Sequence, residues 1–142
     1  VKRENVVIDT NVLIASIIGQ GGFPSRIFDE LVLTGVVKIG LSAAVLEEYE
    51  EVTGREKFKK YPNFVAKAQA LIVTLKSIAV FAEPTERIQI LPDTDDDKFL
   101  ELAIAAEASY LVTGNTKDFP MKEFRGIKIC TPKEFYEYYN GG

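Results

Sequence analysis

Four stretches of this 142-residue chain hold residue types that could do chemistry together. The apolar run Val6-Val7-Ile8 opens into Asp9-Thr10-Asn11. Glu48 lies in Glu47-Glu48-Tyr49-Glu50-Glu51, and Pro92-Asp93-Thr94-Asp95-Asp96-Asp97-Lys98 puts four acids into five consecutive positions. Val112-Thr113 opens into Gly114-Asn115-Thr116-Lys117-Asp118. The chain has no histidine, and Cys130 is its single cysteine. Ser-His-Asp and Cys-His mechanisms, His-ligated zinc or iron, and a histidine general base are therefore excluded. Carboxylates, Lys, Tyr and hydroxyls remain. Carboxylates held close together raise one another's pKa unless a cation sits among them, and an all-oxygen donor set selects Mg2+ or Mn2+. Such an ion polarises a phosphodiester and activates water, so the chemistry implied is phosphodiester hydrolysis. The candidate catalytic set is Asp9, Glu48, Asp96 and Asn115, with Asp9, Glu48 and Asp96 as metal ligands.

For these groups to meet, the elements carrying them must end at a common edge. Val6 to Ile8 read as a short buried strand, and the apolar periodicity that resumes at Val12-Leu13-Ile14 predicts a helix to about Ile18. Asp9 then stands at a strand-to-helix junction, the edge of an open α/β sheet where ligands bind. The plainer reading is that Asp9 or Thr10 only caps the helix. Gly19 to Pro24 are a loop by composition, and Ser25 is expected to cap a helix carrying Ile27, Phe28, Leu31 and Val32 that Gly35 ends. Val36 to Leu41 form a second predicted strand. Ser42 caps a helix through Val52, on which Val45, Tyr49 and Val52 mark one apolar face. Glu48 belongs to that face and should point inward, whereas Glu47, Glu50 and Glu51 fall on a solvated side.

Farther along, a helix from Asn63 to about Lys76 carries Val65, Ala68, Ile72 and Leu75, and two short extended segments, Ile78 to Ala82 and Ile88 to Leu91, flank Pro84. In the acidic stretch before the next helix, positions i+3, i+4 and i+7 from Asp96 are Phe99, Leu100 and Ala103, which sets Asp96 on the core-facing side; starting from Asp97 puts Glu101 there instead. Tyr110 to Thr113 and Gly126 to Cys130 are further strands, and Thr131 with Pro132 opens a closing helix. Helices alternating with short buried strands imply an α/β fold with a mainly parallel sheet covered on both faces.

The composition, 46% hydrophobic and 27% charged, is that of one globular domain, expected over residues 1–139 with a tail at 140–142. A net charge of −4 argues against a generally basic nucleic-acid coat. No apolar run reaches the length of a membrane span, so no membrane association is expected. The early strand leaves no room for a leader peptide, and a lone cysteine suits a reducing cytoplasm. Arg55, Lys57, Lys59 and Lys60 form the one dense basic cluster; they are candidate RNA contacts, with a merely solvated surface as the plainer reading.

The order Val-Val-Ile-Asp9-Thr10-Asn11, Leu41-Ser42 with Glu48 six residues on, Asp93-x-x-Asp96-Asp97-Lys98-Phe99-Leu100, and Val112-Thr113-Gly114-Asn115 with Asp118-Phe119-Pro120 resembles the PIN domain family. It is most similar to the branch of toxin components of toxin-antitoxin systems, and Arg55-x-Lys57-Phe58 adds to the likeness. The resemblance implies a three-layer α/β/α PIN-like fold and a Mg2+- or Mn2+-dependent ribonuclease resembling VapC-type toxins, dimeric and neutralised by an antitoxin protein. By position, Asp9, Glu48 and Asp96 match the acidic metal site. Thr10, Asn11 and Thr113 match supporting polar residues. Family spacing can also be counted to Asp97 as the third carboxylate. One departure is Asn115, where many members carry aspartate: its carbonyl oxygen brings no charge, which works against a second ion and a high rate, and Asp118 is the residue able to compensate. A PIN-like module that binds RNA or a partner without catalysis is the alternative. A haloacid-dehalogenase-like phosphatase is a further rival, but Asn11 stands where that family's first motif needs a second acid.

Overall fold

The computed structural model describes residues 4–140. Among these residues six strands and six α-helices follow in the order β1 Asn5–Ile8, α1 Thr10–Ile18, α2 Phe23–Arg26, β2 Lys38–Leu41, α3 Ala43–Thr53, α4 Phe64–Ile78, β3 Val80–Phe81, α5 Asp97–Ala105, β4 Tyr110–Val112, β5 Glu123–Phe124, β6 Ile127–Cys130 and α6 Pro132–Asn140. The strands make one sheet in the order β3-β2-β1-β4-β6-β5, parallel except for the β5–β6 pair. Val6, Val7 and Ile8 pair with Tyr110, Leu111 and Val112, and both runs are buried, as apolar strands with helices on both sides must be. The expected α/β class with a mainly parallel sheet flanked by helices is what the chain adopts. Among the described residues no helix is long and apolar enough to cross a membrane.

Several elements differ from their sequence reading for local reasons. The second helix starts at Phe23 with Pro24 in its first turn, so Ser25 lies inside it, buried, rather than capping it. It continues into a wide π-helical turn, Ile27–Val32, which buries Ile27, Phe28, Leu31 and Val32; the N–H of Leu33 reaches back to the Phe28 carbonyl at 2.9 Å. Val36 and Val37 belong to the turn that follows, with the Val37 N–H held by the Leu31 carbonyl, and β2 begins only at Lys38. Ile88 to Leu91 are not a strand. Their N–H groups go to α5 carboxylates instead of a ladder: Ile88 donates to Glu101 at 2.9 Å and Leu91 to Asp97 at 3.1 Å. Strand β5 was not expected. It turns back to β6 through Arg125 and Gly126, both at positive φ (49° and 81°), a two-residue turn whose twist matches its strands. The closing helix opens on a reciprocal cap, Glu134 N–H to the Thr131 hydroxyl and Thr131 N–H to the Glu134 carboxylate. It runs through Asn140, one residue into the expected tail; Gly141 and Gly142 lie outside the described residues.

Candidate active site

The sheet order reverses at the β1–β4 boundary, because β2 and β3 lie on one side and β6 and β5 on the other. A crevice at such a switch point is where open α/β sheets bind ligands. Asp9 follows β1 and Thr113 follows β4 at the same edge, and they are joined: the Asp9 N–H donates to the Val112 carbonyl at 2.9 Å, and the Thr113 hydroxyl to Asp9 Oδ2 at 2.7 Å. Asn11 adds a second strut, its amide donating to Asp9 Oδ2 at 3.2 Å while its carbonyl oxygen accepts the Gly114 N–H at 3.2 Å. Asp9 begins α1 through its backbone, whose carbonyl accepts from Val12 and Leu13, but its side chain makes no capping bond. That carboxylate, only 5% exposed, serves the edge of the sheet. Burial pushes it up to about 6, the charges of Glu48 and Asp118 adding to the rise, while the Thr113 hydroxyl and Thr10 N–H favour its charged form.

Glu48 comes from α3, half-buried on the inward face the periodicity predicts; Glu47, Glu50 and Glu51 are exposed. Two contacts fix that helix: the Ser42 hydroxyl caps it by accepting the Val45 N–H at 3.2 Å, and the buried Tyr49 hydroxyl donates to the Ile8 carbonyl, one residue before Asp9. Both Glu48 oxygens are engaged. Oε2 accepts from the Thr10 hydroxyl, and Oε1 is 2.8 Å from Lys98 Nζ.

Asp96 and Asp97 part company. Asp96 ends a 3-10 turn, Thr94–Asp96, which Asp93 caps by accepting the Asp95 N–H at 2.9 Å. Half-buried, it is pushed up to about 7, chiefly by burial and then by the charges of Asp9, Asp118, Asp93 and Glu48. Asp97, 4% exposed, turns to the Leu91 N–H and anchors the preceding loop, so it is the buried member of the pair. Helical spacing put Asp96 on the core side; it misleads here because Asp96 precedes α5 on a tighter turn that does not keep the 3.6-residue period. Asp97, the alternative third carboxylate by family spacing, thus has one oxygen, Oδ1, taken by a loop N–H.

Asn115 is exposed and acts on its own loop, its amide donating to Asp118 Oδ2 at 2.8 Å and its carbonyl oxygen accepting the Lys117 N–H at 3.2 Å. It has no hydrogen bond to Asp9, Glu48 or Asp96. Through it Asp118 is held where its charge reaches both Asp9 and Asp96. The basic cluster stands apart: Arg55 pairs with Glu51 at 2.9 Å, Lys59 with Glu56 at 2.7 Å, and Lys57 and Lys60 lie over the Phe58 and Tyr61 rings. Lys98 escaped the sequence reading as a site residue. Its only signal was a cation closing an acidic run, and its partner lies 50 positions away.

The donors at this edge are all oxygens, and the two most buried or crowded carboxylates repel one another, which suits a hard divalent cation in chemistry. Among the described residues, however, no three Asp, Glu, His or Cys side chains stand close enough to hold one ion as they are. Among the described residues Asp9 and Asp96 pair with no cation, whereas both Glu48 oxygens are taken, by Thr10 and Lys98.

The PIN domain family matches residues 5–117, a span that runs from β1 past the β4 edge and includes Asp9, Glu48, Asp96 and Asp97, ending one residue before Asp118. The chain belongs to the PIN domain family. This PIN domain is 28% identical over 140 residues to the uncharacterized protein MJ1680 of Methanocaldococcus jannaschii, covering 93% of this chain and 89% of that one. Its fold is similar to a chain in the crystal structure of VapBC2 from Rickettsia felis bound to a DNA fragment from their promoter, at TM-score 0.57 and 18% identity, covering 89% of this chain and 98% of that chain.

Proposed function

We propose that this PIN domain is a divalent-metal-dependent ribonuclease acting as the toxin of a toxin-antitoxin pair. The observation that carries the reading is the gathering of Asp9, Glu48 and Asp96 from three separate elements at the sheet's switch point, in mutual repulsion and without histidine. Family nucleases typically use divalent ions. Mg2+ or Mn2+ would supply Lewis-acid activation of water and of the phosphate. Asp9, Asp96 and, on displacement of Lys98, Glu48 are the residues to hold it. Thr113 and Asn11 orient Asp9, Thr10 orients Glu48, and Asn115 steadies Asp118. In the hydrolysis a water oxygen bonds to phosphorus, the bond to the leaving sugar oxygen breaks, and a proton ends on that oxygen. Arg55, Lys57, Lys59 and Lys60 are proposed to meet the RNA backbone.

The VapBC2 likeness supports an antitoxin protein as partner, and the family resemblance supports a homodimer in the cytoplasm. Two observations favour a second reading, an RNA- or partner-binding module with weak or no catalysis: Asn115 replaces a charge, and among the described residues no three acids stand close enough to hold one ion. The phosphatase alternative lacks its proton donor, since Asn11 is a neutral strut tied to Asp9 and Gly114. The deciding experiment incubates the protein with RNA and Mn2+ beside Asp9→Asn and Glu48→Gln. Cleavage by the wild type and a loss of at least about a hundredfold in both variants is expected, in line with the cost of removing groups that act on the transition state. Equal cleavage by all three removes Asp9 and Glu48 from the reaction.

A further inference from the structure

Among the described residues, Lys98 is the only cation within salt-bridge distance of a carboxylate at the candidate site. It rises from the first turn of α5, two positions after Asp96, and crosses to α3, where its ammonium lies 2.8 Å from Glu48 Oε1. The pair is mostly buried, with the two side chains 26% and 21% exposed, so solvent screens it less than a surface pair. The other Glu48 oxygen is taken by the Thr10 hydroxyl. A carboxylate engaged at both oxygens has little left to offer a metal ion. Among the described residues, Asp9, Asp96 and Asp118, whose charges also act on this edge, have no cation of their own within salt-bridge distance.

We infer that Lys98 is the resident counter-cation of the acidic edge, neutralising Glu48 in the ion-free protein and competing with the divalent ion for that carboxylate. The inference rests on the reading of these acids as an ion site and deepens it: Lys98 is a positioning residue that sets how tightly, and with how many carboxylates, an ion is held. Glu48 is drawn toward α5 by a charge the protein already owns, and an incoming ion must displace that charge or do without Glu48. Such a competing lysine raises the ion concentration needed to fill the site.

Calorimetric titration of the full chain with Mn2+ tests this in the wild type, Lys98→Met, Lys98→Gln and Lys98→Arg, with Met and Gln as two independent ways of removing the charge. Removing a competing positive charge beside a dication should tighten Mn2+ binding by at least about threefold in both, while Lys98→Arg stays near the wild type. The ion-free Met and Gln variants should melt earlier, because Glu48 loses its partner. In a Glu48→Gln background the gain from Lys98→Met should shrink to nearly nothing. Unchanged or weaker Mn2+ binding in the Met and Gln variants overturns the inference, as does an undiminished gain without Glu48. If the wild type takes up no Mn2+, the nuclease reading fails by itself; uptake by Lys98→Met alone then still supports the role of Lys98, and uptake by neither overturns both.

Discussion

Asp9 shows how one buried carboxyl can be costly to the fold and useful to the site. Its folded-state pKa of about 6 lies above the ordinary 3.8, so the folded chain holds this proton more tightly than the unfolded chain does. Stability contributed at low pH is therefore lost as pH climbs from about 4 through about 6, and the loss persists above. An asparagine keeps an oxygen for the Thr113 hydroxyl but cannot ionise. Asp9→Asn is expected to stabilise the ion-free protein at pH 8 by about 1–3 kcal/mol, a gain that vanishes below about pH 4, as read by urea denaturation at the two pH values. A variant less stable than wild type at pH 8 would mean that the Asp9 charge is satisfied within the fold. Thr113 and Asn11 bind only one of the two Asp9 oxygens, Oδ2, so they orient the group without neutralising it.

At the scale of elements, the contact that sets Glu48 against Asp9 is the Tyr49 hydroxyl on the Ile8 carbonyl, which fastens α3 to the end of β1. Tyr49→Phe leaves that buried carbonyl short of a partner and should cost about 1–2 kcal/mol in equilibrium unfolding while the ring still fills its space; a cost near zero would show that α3 is held by packing alone. Much of this arrangement is legible in the chain. An apolar triplet breaking into Asp9-Thr10-Asn11 marks a strand edge, and the Val45–Tyr49 spacing turns Glu48 inward, because burial against a sheet writes both patterns directly. What is not legible depends on contacts distant in sequence. Ile88 and Leu91 look extended and apolar, yet their N–H groups are claimed by carboxylates of α5; Lys98 looks like a surface charge until α3 is packed beside it. The Arg125-Gly126 turn escapes because arginine at positive φ carries little signal, whereas the asparagine or aspartate usual there would have announced β5. Tyr49 reads as a core aromatic because spacing reports its ring and not its hydroxyl.

Across the whole molecule, the acids collect at the carboxyl edge of the sheet while the dense cations lie beyond α3, so charge is divided between two regions of a chain with net charge −4. A cavity of about 710 Å3, lined in part by Phe119, Met121, Cys130 and Tyr138, includes none of the site acids. A smaller hollow of about 190 Å3 is lined by Asn11, Gly114 and Asn115, residues of the same sheet edge. Such an open edge suits a long polymer laid across it better than a small molecule enclosed within it. Membership in the PIN domain family accounts for the scaffold, and the acids decide what the scaffold does. The most direct test is the melting temperature at pH 7.5 as Mn2+ is raised to about 100 times its dissociation constant. An ion bound only by the folded chain should add about 2.7 kcal/mol to its stability. The melting temperature should rise with the logarithm of ion concentration in the wild type, and little or not at all in Asp9→Asn and Asp96→Asn. A wild-type curve indifferent to Mn2+, or an equal rise in all three proteins, would contradict it.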